Sequence, residues 1–322
     1  MLKMIRQLFS LLTSQQTRQF YILQLLVVVM AVTELAGIAS IAPFMALVGD
    51  ISLLEKEGIF AELYQLSGIT NPIDFLFYAG LLVLVTLTLS TVISMLTIWK
   101  LSLYGARVGT EIADRLYTHY MQQDWLFHTS GSSAHLTKQV STEAMRVTDQ
   151  IIQPLIQINA KVVLVIFISF GILIYDPIIA TAGLLLFVCA YLLLYKLVRK
   201  RLQANGQRMS LLFTERFRLM NEGFGGIKDV LLLNRSYDFV ERFQESGKTF
   251  ARARGNNTVM SQVPRYFVEL IAFGAMISLV LLLIKLHQGN LGTVLPILAV
   301  YALAAFKLLP ALQQIYSSVA QI

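Results

Sequence analysis

The sequence predicts an all-α membrane protein: six long transmembrane helices with two helical hairpins extending into water. Three observations carry that prediction. Of 322 residues, 56% are hydrophobic and 14% charged, against about 25% charged residues in soluble domains, and the mean hydropathy is +0.65. Apolar runs long enough to cross a bilayer recur near residues 20–48, 75–99, 151–175, 177–198, 266–286 and 291–319. The basic residues collect between particular runs, chiefly in 100–150 and 199–265.

Residues 1–19 place Leu2, Ile5, Phe9 and Leu12 at helical spacing with Lys3 and Arg6 off that stripe, the pattern of a short helix lying on a membrane surface. Lys3, Arg6 and Arg18 before an apolar run, followed by the small residues Ala36, Gly37, Ala39 and Ser40, resemble a cleavable leader. The run continues through Pro43 to Val48, long enough to span, so it is read as span one. Beyond it Asp50, Glu55, Glu57, Glu62 and Asp74 face a single cation, Lys56, and Leu53, Leu54, Ile59, Phe60, Leu63 and Leu66 predict a small amphipathic outer helix.

The pattern of span two runs on through Leu101, Tyr104, Val108, Ile112, Leu116 and Tyr120, which carries the helix out of the membrane. Asp124, Trp125, Leu126, Phe127 and His128, then the polar residues 129–133, interrupt it, and a second helix over 136–175 returns to complete the first hairpin. Tyr175, Asp176 and Pro177 form a minimal turn, because proline opens a helix and disfavours one in the residue before it. Span four continues through Leu211, Phe217 and Met220, so the helix from Pro177 to Asn221 measures ~65 Å, about twice a hydrocarbon core. Gly223, Gly225 and Gly226 loosen it, and a helical return over 227–254 closes the second hairpin. Pro296, Lys307 and Pro310 are expected to interrupt span six.

Of the 26 Lys and Arg residues, 3 precede span one, 6 lie in 100–161 and 14 in 196–265. The opposite surface has only Lys56 and Lys285. The positive-inside rule therefore places both termini and both hairpins in the cytoplasm. This accounts for the net charge of +7 better than nucleic-acid binding, which needs a basic face on a soluble domain.

Cys189, the one cysteine, lies in an apolar run, which rules out an intrachain disulfide, a cysteine metal cluster and redox chemistry as the main role. The four histidines show no metal spacing. Glu111, Asp114, Asp124 and Glu143 are too dispersed for paired acid–base catalysis. Ser246, Gly247, Lys248 and Thr249 imitate the end of a phosphate-binding loop, but Arg242 stands where that loop needs glycine and the pattern is helical. No 20-to-50-residue repeat is present.

Glu34, Arg265, Glu269 and Lys307 are ionisable groups within or at the ends of spans, where each costs about 2.5 to 3.5 kcal/mol and must face a cavity or a partner. Simpler roles exist for most of them. Arg265 and Lys161 can snorkel to headgroups, Glu269 can pair with Arg265 at i+4, and Glu34 can hydrogen-bond a neighbouring helix.

Six spans, long hairpins on one side and small loops on the other resemble the transmembrane domain of an exporter-type (type IV) ABC transporter. The resemblance implies that each hairpin tip is a coupling helix docking on a nucleotide-binding domain, fused or separate. The first tip would be Asp124, Trp125, Leu126, Phe127 and His128, and the second Asn234, Arg235, Ser236, Tyr237 and Asp238. It further implies a homodimer in the cell inner membrane, with ATP and Mg bound by a nucleotide-binding domain that these residues do not contain. No cofactor, metal or ATPase residue is expected in the chain itself. The close at Ile322, immediately after span six, points to a longer polypeptide.

Finer likenesses are Glu34 ahead of Pro43 and Phe44, Asp50 closing span one, Val263-Pro264-Arg265 opening span five, and Ala305 to Pro310 around Lys307. With the outer helix they resemble the PglK-type ABC flippases of lipid-linked oligosaccharides. That resemblance implies a polyprenyl-pyrophosphate glycan as cargo and Arg265, Lys307, Glu34 and Glu269 as substrate residues. Lys307 stands where those flippases have arginine, and Ser90 replaces another of their cavity arginines. Another cargo (lipid A, a peptide or a drug) and an ATP-independent channel or secondary transporter remain as alternatives; the last predicts opposed acids near midplane and repeated halves.

Overall fold

Hydrocarbon cannot satisfy a free backbone N–H or C=O, so a chain crosses it as helix or closed barrel. This chain takes the helical solution. A computed structural model describes residues 2–55, 58–130, 136–137, 139–175, 177–286 and 291–321, and no strand occurs among them. Among these described residues six helices are long and apolar enough to cross a membrane.

The surface helix α1 spans Leu2–Leu11. Thr13 then caps α2, Ser14–Ala39: its hydroxyl accepts the Gln16 N–H, and the Gln16 side chain accepts the Thr13 N–H at 2.8 Å. This capping box starts the helix ahead of residue 20, where the apolar run begins. Span one breaks at Ser40 and resumes as α3, Ile41–Gly49. The cause is Pro43, which has no N–H to return to the Ala39 carbonyl. A 3-10 turn, Ile51–Leu54, and α4, Ile59–Ser67, supply the outer helix, and Gly68 ends it at φ +67°.

Asn71 caps α5, Pro72–Met121, with its side chain accepting the Ile73 N–H at 3.1 Å. Its 50 residues extend ~75 Å. The short α6, Trp125–Ser130, follows; Gly131, Ser132 and Ser133 of the expected polar interruption lie outside the described residues. The returning helix differs from the expectation over 136–175. Two π-helical stretches, Gln139–Glu143 and Thr148–Ile152, flank α7, Ala144–Val147, and regular helix starts only with α8, Gln153–Tyr175. The irregular part lies against glycines of α5. A Cβ on Gly109 would sit 2.0 Å from the Thr148 hydroxyl, and one on Gly105 would sit 2.9 Å from the Gln153 amide nitrogen.

Next come α9, Pro177–Gly225, and α10, Ile227–Leu232. They are followed by α11, Ser236–Leu286, and α12, Leu291–Gln321. The proposed turn residue Asp176 falls outside the described residues. The return expected as one helix over 227–254 is divided between α10 and α11. Neither Pro296 nor Pro310 breaks α12. In lipid, ending the helix would strip more backbone bonds than the one each proline forfeits.

Contacts divide the chain into two units, residues 1–184 with 271–322, and residues 185–270. In the first, α12 packs on α8 and α3, and α2 packs on α5 and α8. Val27, Met30, Ile38, Val108, Ile152, Ile168, Ala304 and Ala311 form its core. Where burial in lipid gives no hydrophobic drive, close approach supplies the attraction: Gly171 lies against Leu35, and Gly37 against Leu87 and Ser90. The second unit is an antiparallel hairpin of α9 and α11. Asn205 donates to the Ala253 carbonyl at 2.7 Å, Arg216 donates to the Phe243 carbonyl at 3.0 Å while its guanidinium lies 3.9 Å above the Phe243 ring, and Gly223 admits Phe239.

The α5 contact makes a direct prediction. Gly109→Ala overpacks against Thr148 and destabilises the first unit by about 1 to 3 kcal/mol. Adding Thr148→Ala, which removes the atoms at 2.0 and 2.4 Å, recovers part of the loss in thermal unfolding of the purified protein. Additive losses would refute the contact.

Candidate functional site

Helical periodicity directs Glu34 inward. Val27, Met30, Ala31 and Ile38 form the buried stripe of α2, and Glu34 falls on that stripe with 7% of its surface exposed. Three neighbouring helices answer it. The Ser94 hydroxyl of α5 donates to Oε1 at 2.6 Å, and the Lys307 ammonium of α12 meets Oε2 at 2.8 Å. Lys307 is delivered by the same logic, one turn from Ala304 and one from Ala311 on the buried face of α12. Lys161 of α8 lies within electrostatic range of both Glu34 and Lys307. One carboxylate and two ammonium groups give the cluster a net charge of +1.

A polar seam leads toward this cluster. Gln157, one turn before Lys161, accepts a hydrogen bond from Gln314 of α12, and Gln314 also reaches the Ser318 hydroxyl at 3.4 Å. Ser90 does not share in it: it is buried in the contact of α2 and α5 beside Gly37, and its hydroxyl has no hydrogen-bond partner among the described residues.

Arg265 and Glu269 belong to the second unit. The Arg265 Nε donates to Glu269 Oε1 at 2.7 Å across one turn of α11, next to Pro264, which is fully buried. The Arg265 side chain is 59% exposed. The structure thus joins the four expected residues as two pairs, each within its own unit. Among the described residues no cluster of His, Cys, Asp and Glu could hold a metal ion.

Both hairpin tips are short helices with outward apolar side chains. In α6 the Asp124 carbonyl accepts the Phe127 N–H at 3.0 Å, and Phe127 stacks on Tyr120 while His128 meets its edge. Trp125 and Leu126 point away, about 80% exposed. In the second tip α10 ends in a Schellman motif. Arg235 N–H reaches the Val230 carbonyl at 2.9 Å and Asn234 N–H the Leu231 carbonyl at 3.2 Å, with Asn234 at φ +50°. Asn234 thus terminates the tip helix, Arg235 and Asp238 form an exposed ion pair at 2.7 Å, and Ser236 opens α11. Tyr237 is exposed, as are Leu231, Leu232 and Leu233.

Two features are not read from the sequence. Snorkelling offers Lys161 a simple role there, although its spacing from Gln157 also marks the stripe that turns toward α12. The exposed leucines of α10 fall within the expected helical return, although Gly226 and Asn234 bracket them with helix-ending residues. The protein-family model of the ABC transporter transmembrane region matches residues 20–309.

The ion pair can be tested by a double-mutant cycle. Glu34→Gln leaves two cations without their counter-charge and destabilises the protein by about 2 to 3 kcal/mol. Glu34→Gln with Lys307→Met recovers at least half of that in denaturant unfolding. A cycle with no coupling would show that the pair is incidental.

Proposed function

The chain belongs to the ABC transporter transmembrane region family, and from that premise we propose that it forms the path of an ATP-driven flippase for a lipid-linked oligosaccharide carried on polyprenyl pyrophosphate. The observation that carries the cargo class is the net positive cluster of Lys161, Lys307 and Glu34 within the spans. Ions in a bilayer are expensive and mark transport paths, and an excess of cation over anion favours a phosphate-bearing amphipath.

Chemically, the cluster can bind without trapping. Lys307 has three N–H donors and Glu34 occupies one, so the ammonium can engage a phosphate oxygen while the carboxylate holds it in place. The same carboxylate opposes the cargo's charge, which keeps affinity low enough for release. Arg265 engages Glu269 through Nε, leaving its terminal amino groups for bidentate pairing with pyrophosphate. The exposed apolar side chains of α6 and α10 suit docking on a nucleotide-binding domain, where ATP and Mg would bind. The basic hairpins favour a cytoplasmic position for that partner in the inner membrane, and the family resemblance favours a homodimer.

Flipping of fluorescent lipid-linked oligosaccharide, measured in proteoliposomes with the nucleotide-binding domain present, tests this reading. Lys161→Ala and Lys307→Ala are expected to slow flipping about tenfold, the ~1.4 kcal/mol of a lost charge-assisted contact. Trp125→Ala with Leu126→Ala should uncouple flipping from ATP hydrolysis. Unchanged flipping in Lys307→Ala and Arg265→Ala would remove the pyrophosphate assignment, and flipping without ATP would favour a channel or secondary transporter.

A further inference from the structure

We propose that the hairpin of the second unit carries a phosphate-binding site between α9 and α11, built from residues other than Arg265 and Glu269. A cavity of about 330 Å³ opens there, and Arg208 of α9 converges on it with Lys248 and Arg252 of α11. Glu245 is the one acidic group that lines it, so the cavity carries an excess of two positive charges. Asn205 and Asn256 add amide donors, the former also holding the Ala253 carbonyl.

Arg208, Lys248 and Arg252 have no carboxylate within 4 Å among the described residues, and they are set apart by lining one cavity together. Cations in excess of the one carboxylate repel one another, and a bound dianion relieves that repulsion. Arginine supplies the forked donors that fit phosphate, and lysine a point charge. The sequence resembling the end of a phosphate-binding loop also acquires a place. Ser246, Gly247, Lys248 and Thr249 lie in helix, so their backbone cannot cradle an anion, yet the Lys248 and Thr249 side chains line this cavity.

Arg208 lies ~15 Å along α9 from residue 198, where the apolar run ends, while the headgroup region adds only about 5 to 7 Å to each side of the hydrocarbon. The site therefore faces water just beyond the headgroups. The phosphate can come from a soluble phosphorylated molecule or from a lipid headgroup that reaches it.

The full chain, purified in detergent, is titrated with inorganic phosphate and followed by phosphorus NMR; in parallel, phosphatidylglycerol retained from mixed phosphatidylglycerol–phosphatidylcholine nanodiscs is counted by native mass spectrometry. Arg208→Gln and Arg252→Gln should each weaken binding at least fivefold. Glu245→Gln should tighten it about threefold, a gain that misfolding cannot produce, and Arg254→Gln, outside the cavity, should leave it unchanged. This order in the phosphate titration assigns a soluble source, and the same order only in lipid retention assigns a headgroup; either supports the site. Equal responses in all four variants, including Arg254→Gln, or no response in either assay, overturn it.

Discussion

The ion pair of Glu34 and Lys307 ties α2 to α12 inside the first unit. A carboxylate on the buried stripe of α2 requires donors, and they come from helices distant in sequence, Ser94 on α5 and Lys307 on α12. Apolar packing alone cannot fix register in lipid, because the tails surrounding a helix are as apolar as its neighbours. A salt bridge combined with close-packed glycines can fix it. The Gln157–Gln314 pair acts in the same way along the seam of α8 and α12, so the polar groups that specify the packing also line the proposed path.

The second unit is held together by other means. There its long helices remain paired through side chains that satisfy backbone carbonyls and cover aromatic rings: Asn205 on Ala253, and Arg216 on Phe243. At the far end Gly226 and the Asn234 turn set off α10 as a short separate helix. On the proposed reading this short helix is where a nucleotide-binding partner would dock.

Charge serves two purposes in this chain. The many basic residues between particular spans are an orienting signal by the positive-inside rule, and most of that signal is additive and independent of fold. A few cations are distinguished only by their neighbours. Lys307 is neutralised by Glu34, Arg265 by Glu269, and Arg218 by both Glu215 and Glu222. Arg208, Lys248 and Arg252 converge on one cavity without such partners.

The helical class, the number of spans and the projecting hairpins were legible in the sequence, because each follows from hydrophobic period and length, which are local along the chain. Glu34 and Lys307 were legible as exceptional residues for the same reason: an ion inside an apolar run is costly wherever it folds. Tertiary structure alone decided their pairing and brought Lys161 within electrostatic range of them, since that depends on which faces of α2, α8 and α12 meet. It also decided the π-helical return opposite Gly105 and Gly109, the unbroken α12 despite two prolines, and the separation of α10 from α11. In each case the outcome rests on contacts or backbone satisfaction between segments far apart in sequence, which no local pattern records.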